Sequence, residues 1–344
     1  MENAKERNVM AYVMGTGQAD LIDYSTGVTD EKDYILGYSG NDVIYGRGGD
    51  DTIFGDSDSA TNYIGSDTLY GGGGNDLLIG DNGVDTLYGG SGDDRFVMRY
   101  DLFVDDVYGQ SGTDTLAFFA FDRAANVNLS QKSYFIVGGE EGKQTVSGVE
   151  NVSGTDQNDK LTGDAANNLL SGNIGDDQLN GGAGNDTLQG GDGVDRVVGA
   201  IGDDVLSGDG SSDKLFGGEG KDVLNGGSSA DILFGDAGND SLRGDDGNDM
   251  LIGGTGNDRL TGGAGRDTFV FDRLTGKDVI TDFSPGSGSP DVIRLEKDVL
   301  GSFAAVVSHA ENTSAGVVIQ YDEGSIRLAG LQVADLHATD FLFA

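Results

Sequence analysis

From Gly154 to Val270 an apolar residue recurs at every ninth position: Leu161, Leu170, Leu179, Leu188, Val197, Leu206, Leu215, Leu224, Leu233, Leu242, Leu251, Leu260 and Phe269. Two residues before these lie Asp159, Asp177, Asp186, Asp195, Asp204, Asp213, Asp222, Asp231, Asp240, Asp249, Asp258 and Asp267, with Asn168 in the one remaining slot. A Gly stands five residues before each of them, from Gly154 to Gly262. Thirteen units run without insertion or deletion. Such regularity is a repeat architecture and fixes the fold before any other feature.

One unit, Gly181 to Gln189, shows the physics. Its glycines permit positive φ, so the chain can reverse tightly and turn its carbonyls toward a common point. Thr187-Leu188-Gln189 is too short for a helix but makes a three-residue strand, about 10 Å long. Side chains alternate along it, so Leu188 points inward while Thr187 and Gln189 point out. Asp186 shares the parity of Leu188 and faces inward at the turn. A single unit cannot bury its one Leu, so successive units must stack, with Leu inside and Asp lining both edges.

The same register runs earlier through Asp33, Asp42, Asp51, Asp67, Asp76, Asp85 and Asp94, with Ile35, Ile44, Ile53, Leu69, Leu78, Leu87 and Phe96 inward. One insertion within Asp56 to Ser66 is expected to loop out of a turn. Gly15 to Ile22 reads as a degenerate entry turn. Residues 98–153 lose the register, apart from a further copy ending at Asp114 and Leu116. Strand candidates there are Leu116–Phe121, Val127–Leu129, Tyr134–Val137 and Val146–Val152, read as irregular β rungs joining two rolls, with a separately folded insert as the alternative. After Val270, Asp278–Phe283 and Asp291–Leu295 alternate like strands, and Ser302–Ala310 suits a short helix. Gly316–Tyr321 and Ser325–Leu328 suit a hairpin. An open stack needs such a cap.

The chain has 344 residues, 61 Gly, no Cys, two His and a formal net charge of −38. That acidity disfavours nucleic acid and anionic membrane surfaces as partners, and no stretch approaches a membrane span. Stacked carboxylates repel unless a cation lies between them, and hard oxygen donors without Cys favour Ca²⁺ over zinc or copper. Roughly sixteen such ions would bring about +32 charges against that total, close to balance.

The nonapeptide GGxGxDxUx seen in Gly181 to Gln189 resembles the RTX (hemolysin-type calcium-binding) family of secreted proteins. The resemblance implies an all-β fold: a right-handed parallel β-roll with ions between turns, held by Asp side chains and glycine-turn carbonyls. It assigns metal-ligand roles to Asp33, Asp42, Asp51, Asp67, Asp76, Asp85, Asp94 and Asp114, and to the twelve Asp of the second array. The expected organisation is a first roll with entry segment (1–97), an irregular connector (98–153), a second roll (154–270) and a C-terminal cap (271–344). The cap resembles the C-terminal region of serralysin-type metalloproteases, and Asp340-Phe341-Leu342-Phe343-Ala344 resembles the terminus that type I exporters read. Met1 to Met14 shows no secretory signal peptide. Type I secretion, an extracellular destination and Ca²⁺-triggered folding are therefore expected.

Outward positions can be sorted by sheet. In the second array one face shows Val198, Phe216, Phe234, Ile252 and Val270, flanked by Ile232 and Met250, while the other is polar. Burying that apolar stripe is favourable at ~25 cal/mol per Å². The segment after Val270 is therefore expected to fold back over it, with an exposed partner-binding patch as the alternative. In the first array Tyr45, Tyr70 and Tyr88 should stack into a ladder that packs across strands or binds sugar rings. Leu36, Phe54, Ile79 and Val97 face out on the other sheet.

No HExxH, GxSxG or GxxxxGK[ST] motif occurs, so no enzymatic function is expected. Paired acids could in principle lie among Asp101, Asp105, Asp106, Asp122, Glu140 and Glu141; solvated surface is the plainer reading. Three functions remain open. One is a free-standing secreted calcium-binding roll serving adhesion, matrix or host interaction, with a cell surface or extracellular polysaccharide as partner. Another is the export and folding module of a larger metalloprotease, lipase or alginate epimerase. The third, an ice-binding roll, would need a regular outward Thr/Asn array, which the chain lacks.

Overall fold

A computed structural model describes residues 10–56, 65–99, 105–119, 121–138, 143–271, 276–286, 290–297, 299–321 and 324–344. They form two compact units, residues 1–161 and 162–344. Each is built on a parallel β-solenoid in which the strands of the regular repeats pair with the strand after next.

In the second unit the strand Thr187–Asp192 pairs in parallel with Val205–Gly210, placing Leu188 opposite Leu206. Between them in sequence, Arg196–Ile201 pairs with Lys214–Gly220 in the opposing sheet, Val197 opposite Leu215. Leu188, Val197, Leu206 and Leu215 are all fully buried. One buried aliphatic side chain per strand, worth roughly 1.5–3 kcal/mol each, fills the space between the sheets. Glycine supplies the corners: Gly182 and Gly184 have φ of 106° and 111°.

The first unit repeats this plan around Ile35, Ile53, Leu78 and Phe96 in one sheet and Ile44, Leu69 and Leu87 in the other. Ile44 still faces Leu69, and Ile53 still faces Leu78, across the inserted residues. The insertion therefore leaves both strand registers intact; residues 57–64 lie outside the described residues. Tyr45, Tyr70, Tyr88 and also Tyr108 stack with centroids 4.7–4.9 Å apart and planes within 12°. The outward Leu36, Phe54 and Ile79 are buried together against Tyr34, Leu77 and Val97.

The 98–153 segment holds two kinds of strand. Asp106–Ser111 and Thr115–Phe118 are ordinary parallel rungs. Ala125–Asn128, Ser133–Ile136 and Gln144–Ser147 instead form an antiparallel meander, which returns to the roll where Val146 pairs beside Val107.

Beyond Val270 the structure corrects one expectation. Among the described residues the tail adds rungs and leaves Val198, Phe216, Phe234 and Ile252 half-buried, while Val270 at the end of the stripe is buried. Gly276–Ile280 pairs with Arg259–Ala264, and Val292–Leu295 with Thr268–Phe271. Phe216 and Phe234 remain half-buried, stacked 4.9 Å apart with Arg196 over Phe216. Rung addition wins because it satisfies the open edge's backbone groups while burying Ile280, Ile293 and Leu295 completely. The expected hairpin is present, Gly316–Tyr321 against Gly324–Ala329, and its second strand pairs with Gly276–Ile280. Helix Phe303–Ser308 is capped by Ser302. Phe341–Phe343 pairs with Val292–Leu295, and Phe341 packs on Phe303 at 5.7 Å.

Candidate metal centre

The motif aspartates do not point at solvent. Asp186, Asp204, Asp213, Asp222 and their equivalents are at most 2% exposed, held inward at the turn by the parity that buries Leu two residues on. Each uses one carboxylate oxygen in the same way. The Asp186 backbone N–H donates to Asp204 Oδ1 at 2.8 Å, that of Asp204 to Asp222 Oδ1 at 2.9 Å, and that of Asp222 to Asp240 Oδ1 at 2.9 Å. The ladder crosses the insertion in the first unit, where the Asp42 N–H donates to Asp67 Oδ1 at 2.8 Å.

The second oxygen is different. Oδ2 of Asp42, Asp51, Asp67, Asp76, Asp94 and Asp114, and of every motif Asp from Asp186 to Asp267, is buried without a protein hydrogen-bond partner. It lies under the motif glycine. A Cβ built on Gly208 would collide with Asp213 Oδ2 and stand 2.6 Å from the Gly226 carbonyl oxygen. Gly217 stands likewise over Asp222 Oδ2 and 2.8 Å from Gly235 O, and Gly46 over Asp51 Oδ2 and 2.6 Å from Gly71 O. Glycine is needed here for space, since none of these three has positive φ. These three turns thus present an unsatisfied carboxylate oxygen and a carbonyl oxygen of the following turn to one cradle.

Such an oxygen is costly to leave unpaired. Burial pushes Asp51 and Asp67 up to about 8, and Asp76, Asp213 and Asp240 to about 7, with neighbouring carboxylates adding to the effect and backbone N–H donors opposing it. A cation in the cradle removes that penalty. Among the described residues no group of three or more Asp, Glu, His or Cys side chains converges as a metal cluster. Backbone carbonyls must therefore supply much of any coordination shell, which suits a hard, oxygen-seeking ion of flexible geometry. The residues fit Ca²⁺.

Asp33 and Asp159 depart from the pattern: protein donors occupy both of their oxygens. Asn168 Oδ1 accepts from the Asp164 N–H at 2.8 Å. The ladder also takes in residues that the nine-residue count passes over. Asp105 accepts from Asp85 N–H, Asp278 from Asp258 N–H and Asp291 from Asp267 N–H, at 2.9–3.0 Å. Asp105 is thereby a turn residue, and no acid pair with Asp101, Glu140 or Glu141 can be assessed, since those three lie outside the described residues. A second ladder was also missed. The residue before the motif Asp, often Asn, accepts from its counterpart a turn later: Asn185 N–H to Asn167 Oδ1 at 2.8 Å and Asp203 N–H to Asn185 Oδ1 at 3.0 Å. The recurrent Asn at that position was its signal.

A parallel β-roll whose turn edges carry half-satisfied carboxylates beneath glycine defines a calcium-binding repeat protein. The RTX calcium-binding nonapeptide repeat (4 copies) matches residues 29–61, 63–96, 145–179, 153–188, 171–206, 207–242 and 243–273, together more than half of the chain. The chain belongs to this family. A search of curated protein sequences finds no significant match. Among solved structures it is similar to the extracellular lipase LipA from Serratia marcescens, at 14% identity and a TM-score of 0.21. That match covers 92% of this chain and 40% of the lipase.

Proposed function

We propose that this chain is a secreted calcium-binding β-roll that folds when its turns meet extracellular Ca²⁺ after type I export. The observation that carries the reading is the row of buried Oδ2 atoms without a protein hydrogen-bond partner, those of Asp51, Asp213 and Asp222 beside a glycine carbonyl as well. The ligands proposed are the motif Asp from Asp42 to Asp114 and from Asp177 to Asp267, together with those carbonyls. Bound Ca²⁺ would supply the positive charge that lets these carboxylates ionise inside the fold. The chain's own part is to hold one oxygen of each carboxylate on a backbone N–H and to keep Cβ atoms out of the cradle. In low cytosolic calcium the acidic chain stays extended, and millimolar calcium outside closes the turns, with affinities near ~10⁻⁴ to 10⁻³ M per site.

The four segments 1–97, 98–153, 154–270 and 271–344 are proposed as first roll, connector, second roll and cap. The serralysin-like tail is proposed as the export signal. The folded roll then serves adhesion, matrix or host contact as a non-catalytic scaffold. The Tyr45 to Tyr108 ladder is assigned to packing, because each ring face is covered by the next and only ring edges are left for a sugar.

Far-UV circular dichroism with calcium and with EGTA tests the central step. A β spectrum that appears with calcium and disappears with chelator is expected; one unchanged by EGTA would refute calcium-dependent folding.

A further inference from the structure

The first motif turn of each array is built differently from the rest. At Asp159, Oδ2 accepts the Thr155 backbone N–H at 2.5 Å, while Oδ1 accepts the Thr155 hydroxyl at 2.9 Å and the Ala125 N–H at 2.6 Å. At Asp33, Oδ2 accepts the Thr29 N–H at 2.7 Å, and Oδ1 accepts the Thr29 hydroxyl at 3.0 Å and the Ala11 N–H at 3.1 Å. The entry turn copies the device, with the Thr16 N–H and hydroxyl donating to Asp20 Oδ2 at 2.5 and 2.8 Å. In all three, Thr stands four residues before the Asp, at the place where Gly182 stands in the regular turn. The threonine four residues upstream thus fills the oxygen that regular turns leave open with its backbone N–H, and adds its hydroxyl to the same carboxylate. Asp159 and Asp33 are 2% and 0% exposed, yet neither has an unsatisfied oxygen, in contrast to Asp186 or Asp213.

We propose that the turns at Asp33 and Asp159 close without a cation, threonine taking the place of the ion, so that each array opens on a calcium-independent turn. This rests on the calcium reading of the regular turns and divides the motif aspartates into two chemical classes. A carboxylate whose lone pairs already face a hydroxyl and two amide hydrogens offers a metal little, and its donors would have to be displaced first. Past the last motif turn, the cap shows a comparable carboxylate: Asp291 Oδ1 accepts from Asp267 N–H at 3.0 Å and Oδ2 from Ser284 N–H at 2.8 Å. In the first array the Asp33 turn thus gives the Asp51 turn a formed edge, the Asp33 N–H donating to Asp51 Oδ1 at 2.7 Å.

The test is the number of calcium ions bound per full-length chain at saturation, by native mass spectrometry and by equilibrium dialysis. Four single variants are compared: Asp33→Asn, Asp159→Asn, Asp186→Asn and Asp213→Asn. Asn at such a position is compatible with the fold, since Asn168 occupies one naturally. Asp33→Asn and Asp159→Asn are expected to bind as many ions as the parent, and the other two at least one fewer. Loss of an ion from Asp159→Asn or Asp33→Asn overturns the proposal. If Asp186→Asn and Asp213→Asn also lose none, the calcium reading itself fails, which is a distinct result. Thr155→Val supplies a second measurement that does not alter the carboxylate. It is expected to lower thermal stability at saturating calcium with the ion count unchanged, and a gain of an ion would show that threonine had not been filling a site but blocking one, overturning the equivalence.

Discussion

Substituting Gly208 by Ala probes the cradle with a single methyl group. Its backbone φ suits any residue, so strain does not enter. The added Cβ would overlap Asp213 Oδ2 and lie 2.6 Å from Gly226 O, and relieving the overlap requires the carboxylate or the next turn to move. Overpacking of this kind costs about 1–3 kcal/mol. Losing one ion at tenfold over its dissociation constant removes about 1.4 kcal/mol more. The sum, about 2–4 kcal/mol, lowers the melting temperature of a unit this size by roughly 5–15 °C. Gly210→Ala is the control in the same turn: its nearest neighbour would be Asp192 Oδ1 at 3.2 Å, the end of an exposed side chain, with Gly191 O at an ordinary 3.6 Å. Ala183 and Ala264 already occupy that position in other turns, so a change within about 0.5 kcal/mol is expected. Calcium-titrated circular dichroism and scanning calorimetry at about 10 mM calcium, tenfold above the weaker expected affinity, read both variants. Equal calcium midpoints for Gly208→Ala and Gly210→Ala would refute the assignment of the space under Gly208 to an ion.

Three further outcomes follow from the same geometry. Without calcium, aspartates raised from 3.8 to about 6–8, such as Asp186, Asp213 and Asp67, stabilise the fold fully only below pH 4 and lose that contribution as pH rises through 6–8. In EGTA, β signal should therefore increase on acidification from pH 8 to 5, whereas a signal that declines over this range contradicts the burial. In calcium the dependence reverses: the folding midpoint should rise by about tenfold per pH unit below 6 for each carboxylate that must lose a proton, as read by titration at fixed ionic strength. Leu215→Ala removes a fully buried rung residue and should cost about 2–5 kcal/mol, whereas Phe234→Ala on the half-buried outer stack should cost about 0.5–1.5 kcal/mol; comparable losses in thermal melts would show that the stripe is covered after all.

The sequence made the roll legible because its period sets both side-chain parity and turn position. Leu188 and Asp186 could be placed inside, and the strand partners followed from the doubled repeat. What escaped were contacts at other spacings. Asp105, Asp278 and Asp291 join the ladder over 20, 20 and 24 residues, where the regular step is 18, and Tyr108 was missed for the same reason. Nothing local to Tyr134–Ile136 distinguishes a parallel rung from an antiparallel return, since alternation alone carries no direction. The apolar stripe pointed to a cover because exposure was judged residue by residue; in-register stacking lets Phe216 and Phe234 shield each other. Thr29 and Thr155 stand where Gly182 stands in the regular turn, and only their hydrogen bonds reveal that they change what their aspartates need.

The undisturbed pairing of Ile44 with Leu69 and of Ile53 with Leu78 makes the sequence between Asp56 and Gly65 a natural grafting port. Doubling the length of a flexible connection costs only about 0.6 kcal/mol, small beside the rungs on either side. A peptide epitope or recognition loop spliced between those two residues would be displayed from a rigid frame whose assembly is set by a simple salt.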